Sequence, residues 1–172
     1  PWTSQLHPNP AVPLPLMAKR GQVCFMSRPS GLPRKELTFY DEVTGLYTHP
    51  DGSLNLVGLD WHFEPVYSPD AYDPDIDEDY VAGAHQALSL RFPSLAGSQL
   101  VRGVVGLYAF TPDGHPIVDG NLGLQGYYLA AGFSGAGFKS SPALGLGLAE
   151  MILKGQAETV NLDFLRLGRF AE

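Results

Sequence analysis

The feature that most constrains this sequence is an apolar run followed by closely spaced glycines and then a helical pattern. Residues 124–133 predict a strand, and glycines recur through 132–137 directly after it. A helix is predicted from residue 135 or 141 to Lys154, ended by Gly155. Glycine lets a backbone approach a ligand closely, and the free N–H groups of a helix N-terminus attract electron-rich groups. The segment predicts either a ligand-binding turn or a tight strand–helix contact.

The glycine order argues against a primary dinucleotide fingerprint. The letters G-F-S-G-A-G do not match G-x-G-x-x-G. If the glycines of the turn instead serve a tight strand–helix contact, Gly145 and Gly147 of the predicted helix have the same role, because they let the helix approach its neighbours. Lys139 occupies the first helical turn, where the helix dipole disfavours a cation. It is therefore either an exposed solubilising lysine or a group that points at a bound anion.

The rest of the chain predicts a mainly antiparallel sheet with one long helix, an α+β fold. Five prolines in residues 1–16 predict an extended connector without helix. A turn at residues 49–52 predicts a β-hairpin. Residues 111–114 predict a second turn. The strands predicted outside the glycine segment are 21–26, 37–40, 45–48, 53–58 and 100–110.

An acidic loop precedes the predicted long helix. Residues 69–79 form this loop, and Asp77 is placed to cap a helix that runs to about Phe92 before Pro93. The helix has one apolar face, formed by Val81, Ala84, Leu88 and Phe92.

Metal sites are not predicted. Asp73, Asp75, Asp77 and Asp79 alternate as in a calcium loop, but Glu78 replaces the required glycine and Ala84 the bidentate glutamate. The histidines lack zinc-ligand spacing; they are His7, His49, His62, His85 and His115. Ser134 has no nucleophile-elbow motif around it.

Composition narrows the function classes. Charged residues are only 17%, with 20 glycines and 15 prolines, which indicates a face meant to be covered. The net charge of −7 argues against nucleic acid as a partner, and no apolar run reaches membrane-spanning length. The single cysteine, Cys24, excludes an internal disulfide and is typical of an inert core thiol. We expect a cytoplasmic protein, or one of the mitochondrial matrix in a eukaryote. No methionine precedes Met17, and we expect the chain to be a fragment.

Residues 104–119 contain Thr-Pro-Asp and a following Pro-Ile, and residues 128–139 read Y-L-A-A-G-F-S-G-A-G-F-K. The first segment resembles the TPD and P-x-I segment of FAD-dependent amine oxidoreductases, and the second is similar to their AxGFSGHGFK strand–turn–helix. This is the family of D-amino-acid oxidase, monomeric sarcosine oxidase and glycine oxidase. Residues 16–22 look like its P-x-RGQ segment, and Pro1-Trp2 fits the residues after its NAAG strand. The resemblance covers the C-terminal half of a family member.

The resemblance implies a two-domain enzyme with a glutathione-reductase-type FAD domain whose N-terminal half is missing here. Residues 1–15 would be a connector that leaves the FAD domain. Residues 16–110 would be part of a substrate-binding domain with a mainly antiparallel, mixed sheet. Residues 111–172 would return to the FAD domain.

The resemblance also implies site residues. Lys139 would hold a substrate carboxylate, and Tyr108 would line the pocket. Gly106 replaces the cysteine that bonds to the flavin in sarcosine oxidase, which implies non-covalent FAD. Ala136 replaces the usual histidine, and Asp60 falls near an active-site histidine position. The implied FAD-binding residues are Gly106, Thr111, Pro112, Asp113, Gly132, Phe133, Ser134, Gly135, Ala136, Gly137, Phe138 and Lys139.

The function implied is oxidation of the C–N bond of a secondary amine or of an N-methyl or small amino acid, by hydride transfer to flavin N5. The partners expected are that small-molecule substrate, the missing N-terminal half or a partner chain, and a second copy. The alternatives are a non-catalytic fragment or binding subunit that completes a flavin site on another chain, and a stand-alone α+β domain without a redox role.

Overall fold

A computed structural model describes residues 1–9, 12–31, 37–60 and 62–171. Residues 10 and 11 of the predicted connector, and 32–36 and 61 of the predicted substrate domain, lie outside these ranges. The strands are β1 Met17–Ser27, β2 Phe39–Tyr40, β3 Leu46–Asp51, β4 Leu54–Leu59, β5 Glu64–Pro65, β6 Leu100–Phe110, β7 Ile117–Gly120 and β8 Tyr128–Ala131. The helices are α1 Thr3–Leu6, α2 Glu78–Arg91 and α3 Gly137–Lys154, with 3-10 turns at Pro93–Leu95, Asp163–Leu165 and Leu167–Phe170.

The chain divides into two compact units. The first unit holds residues 1–19, 65–70 and 107–172, and the second holds residues 20–64 and 71–106. The assignment of chain segments to a flavin domain and a substrate domain stays a prediction.

The larger sheet has the strand order β2-β3-β4-β1-β5, with β6 also paired to β1. β1 and β4 are antiparallel, with Cys24 opposite Val57. The predicted hairpin is confirmed as β3 and β4, but its predicted turn at 49–52 is wrong. Asp51 pairs with Leu54, so β3 continues through His49 and the turn is formed by Gly52, at φ +60°, and the next residue.

Helix α2 supplies the core of the second unit. Ala84 and Leu88 of its predicted apolar face are fully buried, as are Cys24 and Met26 of β1. Tyr80 is also buried, and its hydroxyl accepts a hydrogen bond from the Leu59 N–H at 3.0 Å. The predicted position of α2 and its predicted apolar face are confirmed.

Asp77 precedes α2 as predicted, but its carboxylate does not cap the helix. It receives two hydrogen bonds from the buried guanidinium of Arg20, at 2.8 and 3.0 Å, and one from the side-chain amide of Gln22. The hydrogen bonds from Arg20 and then Gln22 lower the pKa of Asp77. The carboxylate is unavailable for capping because a buried cation must be paired.

Arg20 also organises the acidic loop. Its guanidinium donates to the backbone carbonyls of Asp73, at 2.9 Å, and Asp75, and it lies 3.3 Å from the Glu64 carboxylate. Three of the four alternating aspartates, Asp73, Asp75 and Asp77, therefore bind an arginine.

The first unit contains β7, β8 and α3. β7 and β8 are antiparallel, with Ile117 opposite Ala131. The predicted strand 124–133 is too long, because Gly126 and Gly132 take left-handed conformations, at φ +80° and +70°, that belong to turns on either side of β8. Gly155 ends α3 at φ +85°, as predicted.

Two further predictions for the first unit need correction. The N-terminal segment is not wholly extended, because α1 forms one helical turn between Pro1 and Pro8. A Cβ at Gly147 would lie 2.9 Å from Leu162, so close packing is confirmed there. At Gly145 no atom of the described residues lies within 4 Å of the Cβ position.

Within the described ranges, no helix is both long and apolar enough to cross a membrane.

Candidate functional site

The turn between β8 and α3 has a left-handed backbone at three positions. Gly132, Ser134 and Gly135 have φ of +70°, +49° and +87°. Gly132 is buried, and a Cβ there would lie 2.5 Å from Thr111 Cγ2 and 2.7 Å from Leu16 Cδ2. Glycine is required here because it adopts this backbone angle without strain and has no Cβ to collide with Thr111 and Leu16.

Ser134 ties this turn to the turn at residues 111–114. Its N–H donates to the Ala109 carbonyl at 3.0 Å, and its hydroxyl oxygen accepts from the Thr111 N–H at 3.2 Å. The Thr111 hydroxyl donates to the His115 carbonyl at 2.7 Å. The two turns that the resemblance assigns to flavin binding therefore form one hydrogen-bonded structure, and Ser134 accepts a left-handed conformation within it.

Asp113 fastens the first of these turns to the C-terminal segment. Arg169 donates to both carboxylate oxygens, at 2.8 and 3.2 Å, and also to the His115 carbonyl at 2.8 Å. These bonds from Arg169 hold the pKa of the Asp113 carboxyl well below its usual range. The sequence analysis missed Arg169, because 56 residues separate it from Asp113 and no local pattern marks such a pair.

Tyr108 lies beside the glycine turn. A Cβ built on Gly135 would be 3.9 Å from the Tyr108 ring, which is ordinary contact. The Tyr108 ring is also 6.4 Å from that of Phe110, whose ring is 4.4 Å from Lys19 Nζ. The exposed side of Gly135 and the half-buried Tyr108 thus border the same surface of the turn.

The N-terminus of α3 presents backbone donors. Ser140 is the first residue whose N–H bonds back along the helix, to the Ala136 carbonyl at 3.3 Å, so the N–H groups of residues 137–139 have no intrahelical acceptor. Ala136 has no side chain that could cap them. Phe138 is 97% exposed and Lys139 is exposed. Among the described residues, the Lys139 side chain forms no hydrogen bond or ion pair.

The remaining predicted site residues belong either to these two turns or to the second unit. Pro112 is exposed, and Phe133 packs against Gly137, where a Cβ would lie 3.2 Å from the Phe133 Cβ. Gly106 belongs to the second unit, and nothing described lies within 4 Å of a Cβ built on it. Asp60, also in the second unit, accepts a hydrogen bond from the Tyr40 hydroxyl at 2.5 Å. This bond raises the pKa of Tyr40 to about 12.

Other candidate chemistry is weaker. Cys24 is fully buried, as predicted for a core thiol, and burial raises the pKa of its thiol to about 11. Within residues 1–9, 12–31, 37–60 and 62–171, no group of three or more His, Cys, Asp or Glu side chains could hold a metal ion.

Comparison with known proteins defines the class. The profile of a family described as FAD dependent oxidoreductase matches residues 1–151. The chain therefore belongs to the FAD-dependent oxidoreductase family, and the cofactor of that family is FAD. This confirms the family and the cofactor that the glycine turn and the TPD segment suggested.

Individual relatives agree with this membership. The chain is 29% identical over 160 residues to FAD-dependent oxidoreductase domain-containing protein 1 of Bos taurus, covering 91% of this chain and 32% of that protein. It is 35% identical over 92 residues to monomeric sarcosine oxidase of Bacillus sp. (strain NS-129), covering 50% of this chain and 24% of that protein. The chain thus spans a third or less of the length of these curated relatives.

The fold is similar to that of glycine oxidase from Geobacillus kaustophilus. The TM-score is 0.75 at 20% identity, over 99% of this chain and 44% of that chain. At this identity the similarity shows the fold alone, a mixed α+β fold with an antiparallel sheet, as predicted.

The described turn fits an electron-rich edge of a flavin. The uncapped N–H groups at the start of α3 are hydrogen-bond donors, and the partial positive charge of the helix N-terminus favours negative charge in front of it. The exposed Gly135 leaves room for close approach of a ring.

Proposed function

We propose that this chain is the C-terminal part of an FAD-dependent oxidoreductase that oxidises the C–N bond of a secondary amine or of an N-methyl or small amino acid. The first unit would belong to a glutathione-reductase-type FAD domain and the second to a substrate-binding domain. The observation that carries the proposal is the exposed Lys139 in the first turn of α3, next to the turn in which a Cβ built on Gly135 would lie 3.9 Å from the Tyr108 ring.

The residues of this chain would act through charge and shape. When bound, FAD supplies the two-electron acceptor for hydride removal from the carbon next to nitrogen. The N–H groups of residues 137–139 would stabilise negative charge that develops in front of the helix. Lys139 would bind the substrate carboxylate, and Tyr108 would line the pocket. Gly106 would leave FAD bound without a covalent link.

Lys139→Met in the complete flavoprotein tests this assignment. We expect the KM for carboxylated amine substrates to rise about 10- to 100-fold, because a hydrogen bond to a charged group is lost. The FAD content should not change. Lys154→Met is the matched control, since Lys154 lies at the other end of α3 and is bonded to Glu158 at 2.6 Å. An unchanged KM in Lys139→Met would refute the role of Lys139.

A second candidate function is a binding subunit that completes a flavin site on another chain. The short span of this chain relative to its curated relatives favours it. Gel filtration of this polypeptide mixed with candidate flavin-binding chains tests the idea. Co-elution with flavin would support it, and a flavin site complete within a single polypeptide would exclude it.

A further inference from the structure

One face of the larger sheet carries a row of aromatic and acidic side chains. Side chains alternate between the two faces of a sheet, and Leu46 and Leu59 are buried in the core that α2 completes. Tyr47 and Gly58, their neighbours in β3 and β4, therefore belong to the opposite face. Tyr40 is paired with Tyr47, and Tyr47 with Gly58. The row thus crosses β2, β3 and β4 on the face away from α2.

The Tyr47 ring lies along the surface of β4. A Cβ built on Gly58 would be 2.6 Å from Tyr47 Cε1 and closer still to Tyr47 Cζ, so the ring fills the space of a side chain there. Any larger residue at this position would displace the ring. Tyr47 is half-buried and Tyr40 is 50% exposed. The two rings therefore present aromatic surface to solvent.

Asp60 places a negative charge at the end of this row. Its carboxylate accepts a hydrogen bond from the Tyr40 hydroxyl at 2.5 Å, and its N–H donates to the Gly45 carbonyl at 2.9 Å. The hydrogen bond to Asp60 is the first cause that raises the pKa of Tyr40 to about 12, and the charge of Glu42 adds to it. Asp60 is exposed, and within the described ranges it forms no ion pair with a basic side chain.

Arg91 is held on the opposite face of the sheet. Its guanidinium lies 4.8 Å from the centre of the Phe39 ring and 3.8 Å from the Asp41 carboxylate. Phe39 precedes Tyr40 in β2, so the two rings point to opposite faces. The carboxylate of Asp60 is therefore not neutralised by this arginine.

Two aromatic rings beside one carboxylate favour an organic ammonium ion. Aromatic faces attract a cation through the ring quadrupole, and quaternary ammonium groups are recognised in this way. A calcium ion would need six to eight oxygen ligands. Among the described residues, no group of three or more His, Cys, Asp or Glu side chains could hold a metal ion.

A bound ammonium group would not be the nitrogen whose C–N bond is oxidised. A neighbouring carboxylate stabilises the charged form of an amine, whereas hydride loss from the carbon next to nitrogen needs the nitrogen lone pair to be free. We propose that Tyr40, Tyr47 and Asp60 bind a second, cationic nitrogen of the substrate, so that the substrate is a diamine or a basic amino acid. The identity of the ligand as substrate rests on the proposed function.

Binding of tetramethylammonium to the complete flavoprotein tests the site directly. Titration calorimetry, with sodium chloride at equal ionic strength as the reference, should show saturable binding that Asp60→Asn weakens about 3- to 10-fold. Tyr47→Phe should keep the affinity and Tyr47→Leu should lower it, because the cation needs only the ring. Asp51→Asn is the matched control, since Asp51 is an exposed carboxylate at the end of β3. Equal binding by wild type and Asp60→Asn, or no saturable binding, would overturn the proposal.

A pair of substrates tests the role of the site in turnover. Nα-methyl-lysine carries a second ammonium group, and N-methylnorleucine has the same carbon chain without it. The wild-type kcat/KM should be about 3- to 10-fold higher for Nα-methyl-lysine, and Asp60→Asn should lose this preference while Asp51→Asn keeps it. Equal wild-type kcat/KM for the two compounds would overturn the assignment of the site to the substrate. A protein that binds tetramethylammonium through Asp60 but oxidises no amine would overturn the proposed function and leave the ammonium site standing.

Discussion

Gly132 gives the sharpest stability prediction, because Gly132→Ala would meet two separate costs. The backbone is left-handed, at φ +70°, which costs an alanine about 1–2 kcal/mol. The new methyl would also lie 2.5 Å from Thr111 Cγ2 and 2.7 Å from Leu16 Cδ2. Overpacking of this kind costs about 1–3 kcal/mol. We expect a loss of about 2–5 kcal/mol in the free energy of unfolding.

Gly106→Ala is the matched control. Gly106 does not have a left-handed backbone, and no described atom lies within 4 Å of the new methyl. Replacing a strand glycine with alanine should raise the free energy of unfolding, by less than about 1 kcal/mol.

The assay is urea unfolding of the complete flavoprotein, followed by tryptophan fluorescence and by flavin release. Gly132→Ala should shift the midpoint to lower urea and release flavin early, since Gly132 shapes the turn that Ser134 ties to Thr111. If Gly132→Ala and Gly106→Ala unfolded at the same urea concentration, the argument from the backbone angle and the close neighbours of Gly132 would be refuted.

Three further predictions concern polar contacts. Asp77→Asn should lower stability by about 1–3 kcal/mol at pH 7, since it weakens the pairing of the buried Arg20. The pKa of Asp77 is lowered in the folded state, so the stabilisation that its carboxylate provides is present above about pH 3.9 and is lost as pH falls through the lowered pKa. The thermal midpoints of the variant and the wild type should therefore converge in acid. Plots of thermal midpoint against pH that stay parallel would contradict this. Ser134→Ala removes the acceptor of the Thr111 N–H and should cost about 1–3 kcal/mol in urea unfolding, whereas no change would mean that this bond is dispensable. Glu150 accepts from the Thr159 and Glu158 N–H groups, which lower its pKa to about 2. Glu150→Gln should therefore speed hydrogen exchange at these two amides, and wild type should approach the variant only as pH falls from about 4.3 toward 2. Unchanged exchange would refute the idea that the Glu150 carboxylate holds these amides.

The sequence predicted the elements whose signals are local. Helix α2 and strand β6 were predicted closely, because helical spacing of apolar residues and a continuous β-rich run are both readable within a few turns of chain. Gly155 ended α3 as expected, since a glycine after the last periodic residue is a common helix stop. The family and its cofactor followed from the motifs at 104–119 and 128–139.

What the sequence could not predict depends on distant partners. Asp77 has the sequence features of a helix cap, but its carboxylate pairs with Arg20, 57 residues away. Asp113 belongs to a turn motif, and its bond to Arg169 spans 56 residues. Gly145 and Gly147 look equivalent in a helical pattern, yet only Gly147 has a neighbour, Leu162, within contact distance among the described residues.

The central claim is that the turn between β8 and α3 belongs to a non-covalent FAD site. The most direct test is the visible absorption spectrum of the complete flavoprotein as purified, before and after denaturation and filtration. We predict flavin bands that are present in the native protein and pass into the filtrate on denaturation, with Gly106 leaving no covalent link. A colourless protein that stays colourless with added FAD would contradict the claim, and flavin that remains on the denatured polypeptide would contradict non-covalent binding.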